Sequence, residues 1–314
     1  MDEKYREFSF PADSDFRDIR QGMTATRMAE FMAVYKPVWD FWQKWYHAFG
    51  QPQPIYPEQA PDYKPEYQQP VPSVAVKFHT GAPRGMVLVC AGGGFLWKAE
   101  YEGPAVAEAL FNAGYNVAVL DYRVAPYNTE VSLEDGRRAL RFLRYHAAEY
   151  NTRADKIAIM GFSAGGMIAN ICAALYDNGD PAAADPVERV SCRPDAALPC
   201  YGTFNRSAFT GGGLAYNREV QKTAAATDPS LIVHAGCPPY FIWQCAGQDD
   251  PRGALSLADR LAALGIPFEL HIFPYGNHGL GLADAFGPNP TGNPHVALWV
   301  DCCVHWLREE GFGA

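Results

Sequence analysis

The sequence lacks the features that mark a membrane or nucleic-acid protein. No stretch approaches the roughly 20 uninterrupted apolar residues of a membrane span. The 26 Lys and Arg residues are outnumbered by 35 Asp and Glu, for a formal charge of −9. Basic residues are scattered, so no positive field exists to attract phosphates, and neither nucleic acid nor an anionic membrane is an expected partner. The eight cysteines, Cys90, Cys172, Cys192, Cys200, Cys237, Cys245, Cys302 and Cys303, form no C-x-x-C pair and no metal-ligand spacing. Several lie in apolar runs where a reduced thiol behaves as a small hydrophobe. Reduced structural thiols are therefore expected, with a Cys192–Cys200 disulfide as the alternative. There is no internal repeat. The N-terminus, MDEKYREFSF, has acidic residues where a secretory signal has a basic start and an apolar core, which points to a cytoplasmic location.

What is present is a composition of 48% hydrophobic and 19% charged residues, that of a globular protein with a sizeable interior. The 314 residues suit one α/β catalytic domain, residues 73–314, preceded by an arm or lid, residues 1–72. From Met23 to Gly50 the arm is rich in aromatics, among them Phe31, Tyr35, Trp39, Phe41, Trp42, Trp45, Tyr46 and Phe49, in a helical-looking stretch that Pro37 interrupts. The next segment, QPQPIYPEQAPDYKPEYQQPVPS, has too many prolines for regular helix or central strand and reads as an extended connector. The aromatics either pack on the main domain or contact substrate. The arm is read as covering the active site, pairing subunits into a homo-oligomer, or both.

From Ser73 onward short apolar strands alternate with amphipathic helices. Strands are predicted at Val74–His79, Met86–Cys90, Val117–Asp121, Ile157–Met160, Ala196–Tyr201, Tyr240–Cys245 and Glu269–Phe273. Helices are predicted at Pro104–Asn112, Leu133–Glu149, Ala164–Tyr176, Ala254–Leu264 and His295–Glu310. Buried strands alternating with helices imply a mostly parallel sheet covered on both faces. Ligands then bind at the carboxyl ends of the strands.

One such end reads VLVCAGGGF, Val87 to Phe95. The glycines do not complete G-x-G-x-x-G and no lysine follows in P-loop fashion, so nucleotide binding is disfavoured. The more specific signal is KIAIMGFSAGG, Lys156 to Gly166, where a G-x-S-x-G pentapeptide joins a strand to a helix. That setting puts Ser163 on a sharp turn as a candidate nucleophile. A serine hydroxyl is too weak an acid to attack an ester unaided, so a histidine base and an orienting carboxylate are required. His278, in the glycine-flanked loop after the Glu269–Phe273 strand, has the right place among the eight histidines. The acid should follow YFIWQCA, where Asp249 and Asp250 are adjacent. Asp249 is favoured because it lies three residues beyond Ala246, and Asp250 is the alternative. Whichever is not used caps the next helix or stays solvated. Attack would put negative charge on a carbonyl oxygen, which needs donors already in place. The expected donors are the backbone N–H groups of Ala164, Gly93 and Gly94, with Gly92 making the turn.

The AGGGF loop, LDYRVAP (Leu120–Pro126), GFSAGG and HIFPYGNHGLGLA (His271–Ala283) together resemble the α/β-hydrolase superfamily. More narrowly, the chain resembles the acetylesterase-type carbohydrate esterases related to acetyl xylan esterases, neighbours of the hormone-sensitive-lipase-like esterases. The resemblance spans about Ser73 to Ala314. It implies an α/β-hydrolase fold, a Ser163–His278–Asp249 triad and an oxyanion hole at Gly93, Gly94 and Ala164, with no metal or organic cofactor. The lipase-like group usually has histidine before its three glycines; Ala91 stands here instead, which favours the acetylesterase branch. The arm matches neither shared pattern. The implied activity is serine carboxylesterase action on short acyl, chiefly acetyl, esters of sugars or plant polysaccharide, with a small-molecule or oligosaccharide ester as partner. The alternatives are an aryl- or lipid-ester hydrolase and a non-catalytic binding protein on the same scaffold. Phe95, Trp97, Phe162 and Tyr201 either stack on a sugar or wall the pocket, and specificity is expected in the loops Asp177–Pro194 and Thr203–Cys237.

Overall fold

The computed structural model describes residues 24–202, 229–286 and 291–313. Residues 1–23 of the arm and most of the Thr203–Cys237 loop therefore lie outside the described residues.

Eight strands form one sheet: β1 (Pro52–Pro54), β2 (Ser73–Lys77), β3 (Arg84–Cys90), β4 (Asn116–Asp121), β5 (Thr152–Phe162), β6 (Ala196–Cys200), β7 (Tyr240–Cys245) and β8 (Phe268–Phe273). Their order is β1-β2-β4-β3-β5-β6-β7-β8. The pairs β1–β2 and β2–β4 are antiparallel, and from β4 to β8 every pairing is parallel. The central strands β3, β4, β6 and β7 are buried almost throughout because helices cover both faces. Those helices are α1 (Ala25–Phe49), α2 (Pro104–Asn112), α3 (Thr129–Tyr145), α4 (Ala164–Ala174), α5 (Pro229–Ile232), α6 (Arg252–Leu264) and α7 (Pro294–Glu309). Two hydrophobic clusters fill the two sides, one including Leu88, Ile159 and Ile168, the other Val89, Met160 and Trp299. Among the described residues no helix is long and apolar enough to cross a membrane.

Three local expectations are revised. Pro37 does not interrupt the first helix; α1 runs through it from Ala25 to Phe49. An internal proline removes one helical hydrogen bond, but the same helix buries Phe31, Tyr35, Val38, Trp39, Trp42, Tyr46 and Phe49, and tertiary packing of that face outweighs a local defect. The proline-rich connector contributes a strand, β1, because prolines are tolerated at a sheet edge, where β1 pairs only with β2. All eight cysteines are free, which excludes the Cys192–Cys200 disulfide. The Cys192 sulfur instead accepts from the Asp177 backbone N–H at 3.3 Å.

Helix α1 is tied to the sheet through a buried polar group. Trp42 Nε1 donates to Asp121 Oδ1 (2.8 Å) and Gln43 Nε2 to Asp121 Oδ2 (2.6 Å). Lys98 Nζ also bonds Asp121 and donates to the Tyr122 carbonyl at 2.6 Å. A buried ion pair is retained at low cost only when its remaining lone pairs and protons are satisfied, and the indole N–H helps do this. Trp42→Ala removes a fully buried side chain together with that donor. It is expected to destabilise the protein by about 3–5 kcal/mol, read as a lowered midpoint in denaturant unfolding followed by tryptophan fluorescence.

Candidate active site

The register of β3 against β5 pairs Cys90 with Gly161, and that of β5 against β6 pairs Phe162 with Cys200. These carboxyl ends therefore lie side by side, and the residues just beyond them meet. Ser163, directly after β5, has φ +52 and ψ −116 and precedes the first residue of α4. A non-glycine residue at positive φ is strained, and its surroundings hold it there. The Ser163 N–H donates to the Cys200 carbonyl at 3.0 Å. The flanking glycines are required by space. A Cβ on Gly161 would lie 1.9 Å from the Gly165 carbonyl oxygen, and one on Gly165 would lie 2.0 Å from that of Cys90.

His278 is carried by the loop after β8. Its Nε2 lies 2.7 Å from Ser163 Oγ. Its Nδ1 lies 2.9 Å from each oxygen of Asp249. A carboxylate at Nδ1 favours the tautomer with the proton there, which leaves Nε2 to accept from the serine hydroxyl. The two aspartates separate cleanly. Asp250 turns away to Arg252, accepting from its backbone N–H at 3.0 Å and from its Nη2 at 2.5 Å, so it holds the first N–H of α6 from one residue before the Pro251 cap position. Burial lowers the affinity of His278 for a proton, but hydrogen bonding and charge from Asp249, with a contribution from Glu102, outweigh this and raise its pKa above the usual imidazole value.

The glycine loop lies directly on Ser163. Gly93 has φ +131, Gly94 φ +61 and Phe95 φ +59, so the positive-φ turn runs through these three residues and not through Gly92. Gly92, expected to make that turn, has another role: a Cβ there would come within 2.9 Å of Ser163 Cβ and 2.4 Å of Glu102 Oε2. Its N–H donates to Glu102 Oε2 at 2.9 Å. Ala164 is the first residue of α4, where the helix supplies no acceptor for its N–H. The LDYRVAP segment supports this loop from beneath. Tyr122 donates to the Ala91 carbonyl (2.7 Å), and the Ala125 N–H to that of Phe95 (2.7 Å).

The four aromatics proposed to stack on a sugar or wall the pocket divide. Phe95, Phe162 and Tyr201 are buried in the core and have no open face for a ligand, while Trp97 is half-buried. Sequence reasoning also missed Glu102, Tyr201 as a polar group, and Gln248, whose Oε1 accepts from the His278 N–H at 2.8 Å. The available signal for Glu102 was an acid set immediately before the Gly103-Pro104 start of α2.

Elsewhere, Glu269 and His271 on β8 and Cys302 on α7 bring donor atoms within 4.8 Å of one another. Glu269 Oε1 and His271 Nε2 are only 2.6 Å apart. Two ligands of one tetrahedral zinc ion would be about 3.3 Å apart, so this pair satisfies itself. A cavity of about 440 Å³ lined by Arg123, Arg137, Arg138 and Arg141 opens beside α3. All four of those arginines are engaged by acidic side chains: Arg123 by Asp135, Arg137 by Glu134, Arg138 by Asp185 and Glu188, and Arg141 by Asp177.

The chain is similar to several known esterases and hydrolases. A family model described as BD-FAE matches residues 74–206. The acetyl ester-xyloside bifunctional hydrolase from Caldicellulosiruptor lactoaceticus superposes with a TM-score of 0.76 at 32% identity, over 84% of this chain and 98% of that one. Endo-1,4-beta-xylanase B of Butyrivibrio fibrisolvens is 30% identical over 280 residues, 80% of this chain and 42% of that protein. A thermophilic esterase from Thermogutta terrifontis shares the fold, with a TM-score of 0.66 at 19% identity over 84% of this chain and 94% of its own. The chain spans less than half the length of the curated relatives it matches.

The contacts of His278 make a titration test that needs no substrate. Followed by NMR, its imidazole should titrate above about 6.5. Asp249→Asn should move that pKa down, because burial then acts with less opposing charge. Asp250→Asn should leave it in place.

Proposed function

The chain belongs to the α/β-hydrolase family of carboxylic ester hydrolases, and from that premise we propose that it is a serine carboxylesterase removing short acyl groups, chiefly acetyl, from sugars or plant polysaccharide. The observation that carries the reading is the continuous contact from Ser163 Oγ through His278 to Asp249, with the glycine loop against the serine. Sugar acetate as substrate is supported by the relatives, one named for an acetyl ester-xyloside activity and one for xylanase.

In the proposed reaction Ser163 Oγ attacks the ester carbonyl carbon while His278 Nε2 accepts the hydroxyl proton. Asp249 holds the imidazole in place and stabilises the imidazolium. The oxyanion receives hydrogen bonds from the backbone N–H groups of Gly93, Gly94 and Ala164, donors fixed before the charge develops. The tetrahedral intermediate collapses, the C–O bond to the alcohol breaks, and His278 returns its proton to the departing alkoxide. Water then attacks the acyl-Ser163 carbonyl as His278 takes its proton. A second collapse releases the carboxylic acid and restores the serine hydroxyl.

We also propose residues 73–314 as the catalytic unit and residues 1–72 as an arm. Its helix α1 braces the loop, since Trp39 Nε1 donates to the Leu96 carbonyl at 2.8 Å, two residues past Gly94.

Ser163→Ala is expected to reduce kcat on p-nitrophenyl acetate by about 10⁴-fold or more, and Asp249→Asn by about 10⁴-fold. Unchanged turnover by the serine variant would remove the proposed nucleophile. Acetylated xylan and short-chain esters should be cleaved in preference to long-chain p-nitrophenyl esters; exclusive cleavage of long chains would overturn the sugar-ester assignment.

A further inference from the structure

Glu102 is a carboxylate with almost no solvent exposure, 2%, on the short 3₁₀ turn Glu100–Glu102 between the glycine loop and α2. The acyl-transfer scheme above does not use it. Its two oxygens face different parts of the site. Oε2 accepts from the Gly92 N–H at 2.9 Å, next to the two glycines at positive φ. Oε1 accepts from the Tyr201 hydroxyl at 2.6 Å. Tyr201, just past β6, in turn accepts from the Gly281 N–H at 2.9 Å. Its ring also meets the His278 ring edge-on, with centroids 5.1 Å apart. Each donor in this chain points toward Glu102: Gly281 N–H to the Tyr201 oxygen, Tyr201 O–H to one carboxylate oxygen, Gly92 N–H to the other.

An isolated buried acid is costly, and burial raises the pKa of Glu102; Tyr201, the charge of His278 and the Gly92 N–H act against that rise, while Glu100 adds to it. The groups that bear on its charge are thus Glu100 from its own turn, the Gly92 N–H, Tyr201 after β6 and His278 after β8, while Tyr101 bears on the Tyr201 phenol. Burial first, and the charge of Glu102 next, push the Tyr201 phenol well above its usual value, so it remains a donor.

We propose that Glu102 is a positioning residue for the esterase reaction. It fixes the glycine loop that offers the oxyanion donors relative to the loop that carries His278, by bridging Gly92 to Tyr201 and Gly281. This rests on the serine esterase reading. The spacing between oxyanion donors and base must be held within a fraction of an ångström for both to act on one carbonyl, and a displacement of about 1 Å costs on the order of 10²-fold in rate. Only a carboxylate can accept on both sides. An amide offers one oxygen and one NH₂, so Gln at this position could keep the Gly92 N–H bond only by turning its NH₂ to the Tyr201 oxygen, which reverses that bond and leaves the Tyr201 hydroxyl proton without its acceptor. The negative charge has a second effect, helping to hold the His278 pKa up.

The test compares kcat, KM and the pH dependence of kcat/KM on p-nitrophenyl acetate for the wild type, Glu102→Gln, Tyr201→Phe, the double variant and Ser163→Ala, with thermal midpoints for each. Glu102→Gln should lower kcat by about 10²-fold with little change in KM. It should also shift the acid limb of kcat/KM to lower pH, because losing a nearby anion lowers the His278 pKa and leaves the base neutral further into acid. Tyr201→Phe should lower kcat by tenfold or more, and the double variant should be no slower than the slower single variant, as residues in one link are non-additive. A folded Glu102→Gln with wild-type kcat and an unmoved acid limb would overturn the proposal while leaving the esterase reading intact. If Glu102→Gln does not fold, wild-type kcat in Tyr201→Phe overturns it. Activity retained in Ser163→Ala would instead sink the esterase reading, and the proposal with it.

Discussion

The constraint on which the rest depends is the close approach of three backbone segments around Ser163. A residue held at φ +52 is stable only where neighbouring chain leaves no alternative. Here the ends of β3, β5 and β6 come within carbon-to-oxygen contact of the first turn of α4. Gly161, Gly165 and Gly166 admit this approach, and Gly166 is in turn so close to Gly202 that a Cβ on either would fall within 2.8 Å of the other's Cα. From this crossing the other features follow. Ser163 stands just beyond the carboxyl end of β5, α4 begins at the next residue, and the glycine loop after β3 is brought alongside.

That crossing is supported from two directions. On one side, LDYRVAP and α1 hold the glycine loop through Tyr122, Ala125 and Trp39. Beneath them the buried Lys98–Asp121 pair is satisfied by the Trp42 indole and the Gln43 amide. On the other, Gln248 and Asp249 hold the histidine loop, and Glu102 spans the gap between the two loops. Few of these supports touch Ser163. On the proposed esterase reading their joint effect is preorganisation, which in acyl transfer is worth more than any single contact because oxyanion donors held in place need not reorganise as charge develops.

The elements easiest to read were those whose signal is local and periodic. Helix Pro104–Asn112 and strand Tyr240–Cys245 were predicted with the bounds observed, since a buried apolar run between breakers leaves little choice. Pro37 and the Pro52–Pro54 strand were misread for one reason: a proline carries a local penalty, and whether it matters depends on what the segment packs against. By sequence, Phe95, Phe162 and Tyr201 read as either stacking on a sugar or walling the pocket, because they lie near the expected site. In space the two phenylalanines face the core, and the Tyr201 hydroxyl is taken by a carboxylate.

The sequence by itself determined the fold class and the order of the chemical groups along the chain: glycine loop, serine turn, adjacent aspartates, histidine. These are properties of strand–turn–helix grammar and of residue types that tolerate particular backbone angles. Tertiary structure alone decided which aspartate meets His278, that Gly92 serves close approach rather than the turn, and that Glu102 lies between the two loops. Those outcomes depend on side-chain direction and on atoms 10 to 115 residues apart in sequence meeting within 3 Å. Adjacent aspartates are nearly equivalent to a pattern of residue types. They become different only when one is turned toward His278 and the other toward Arg252.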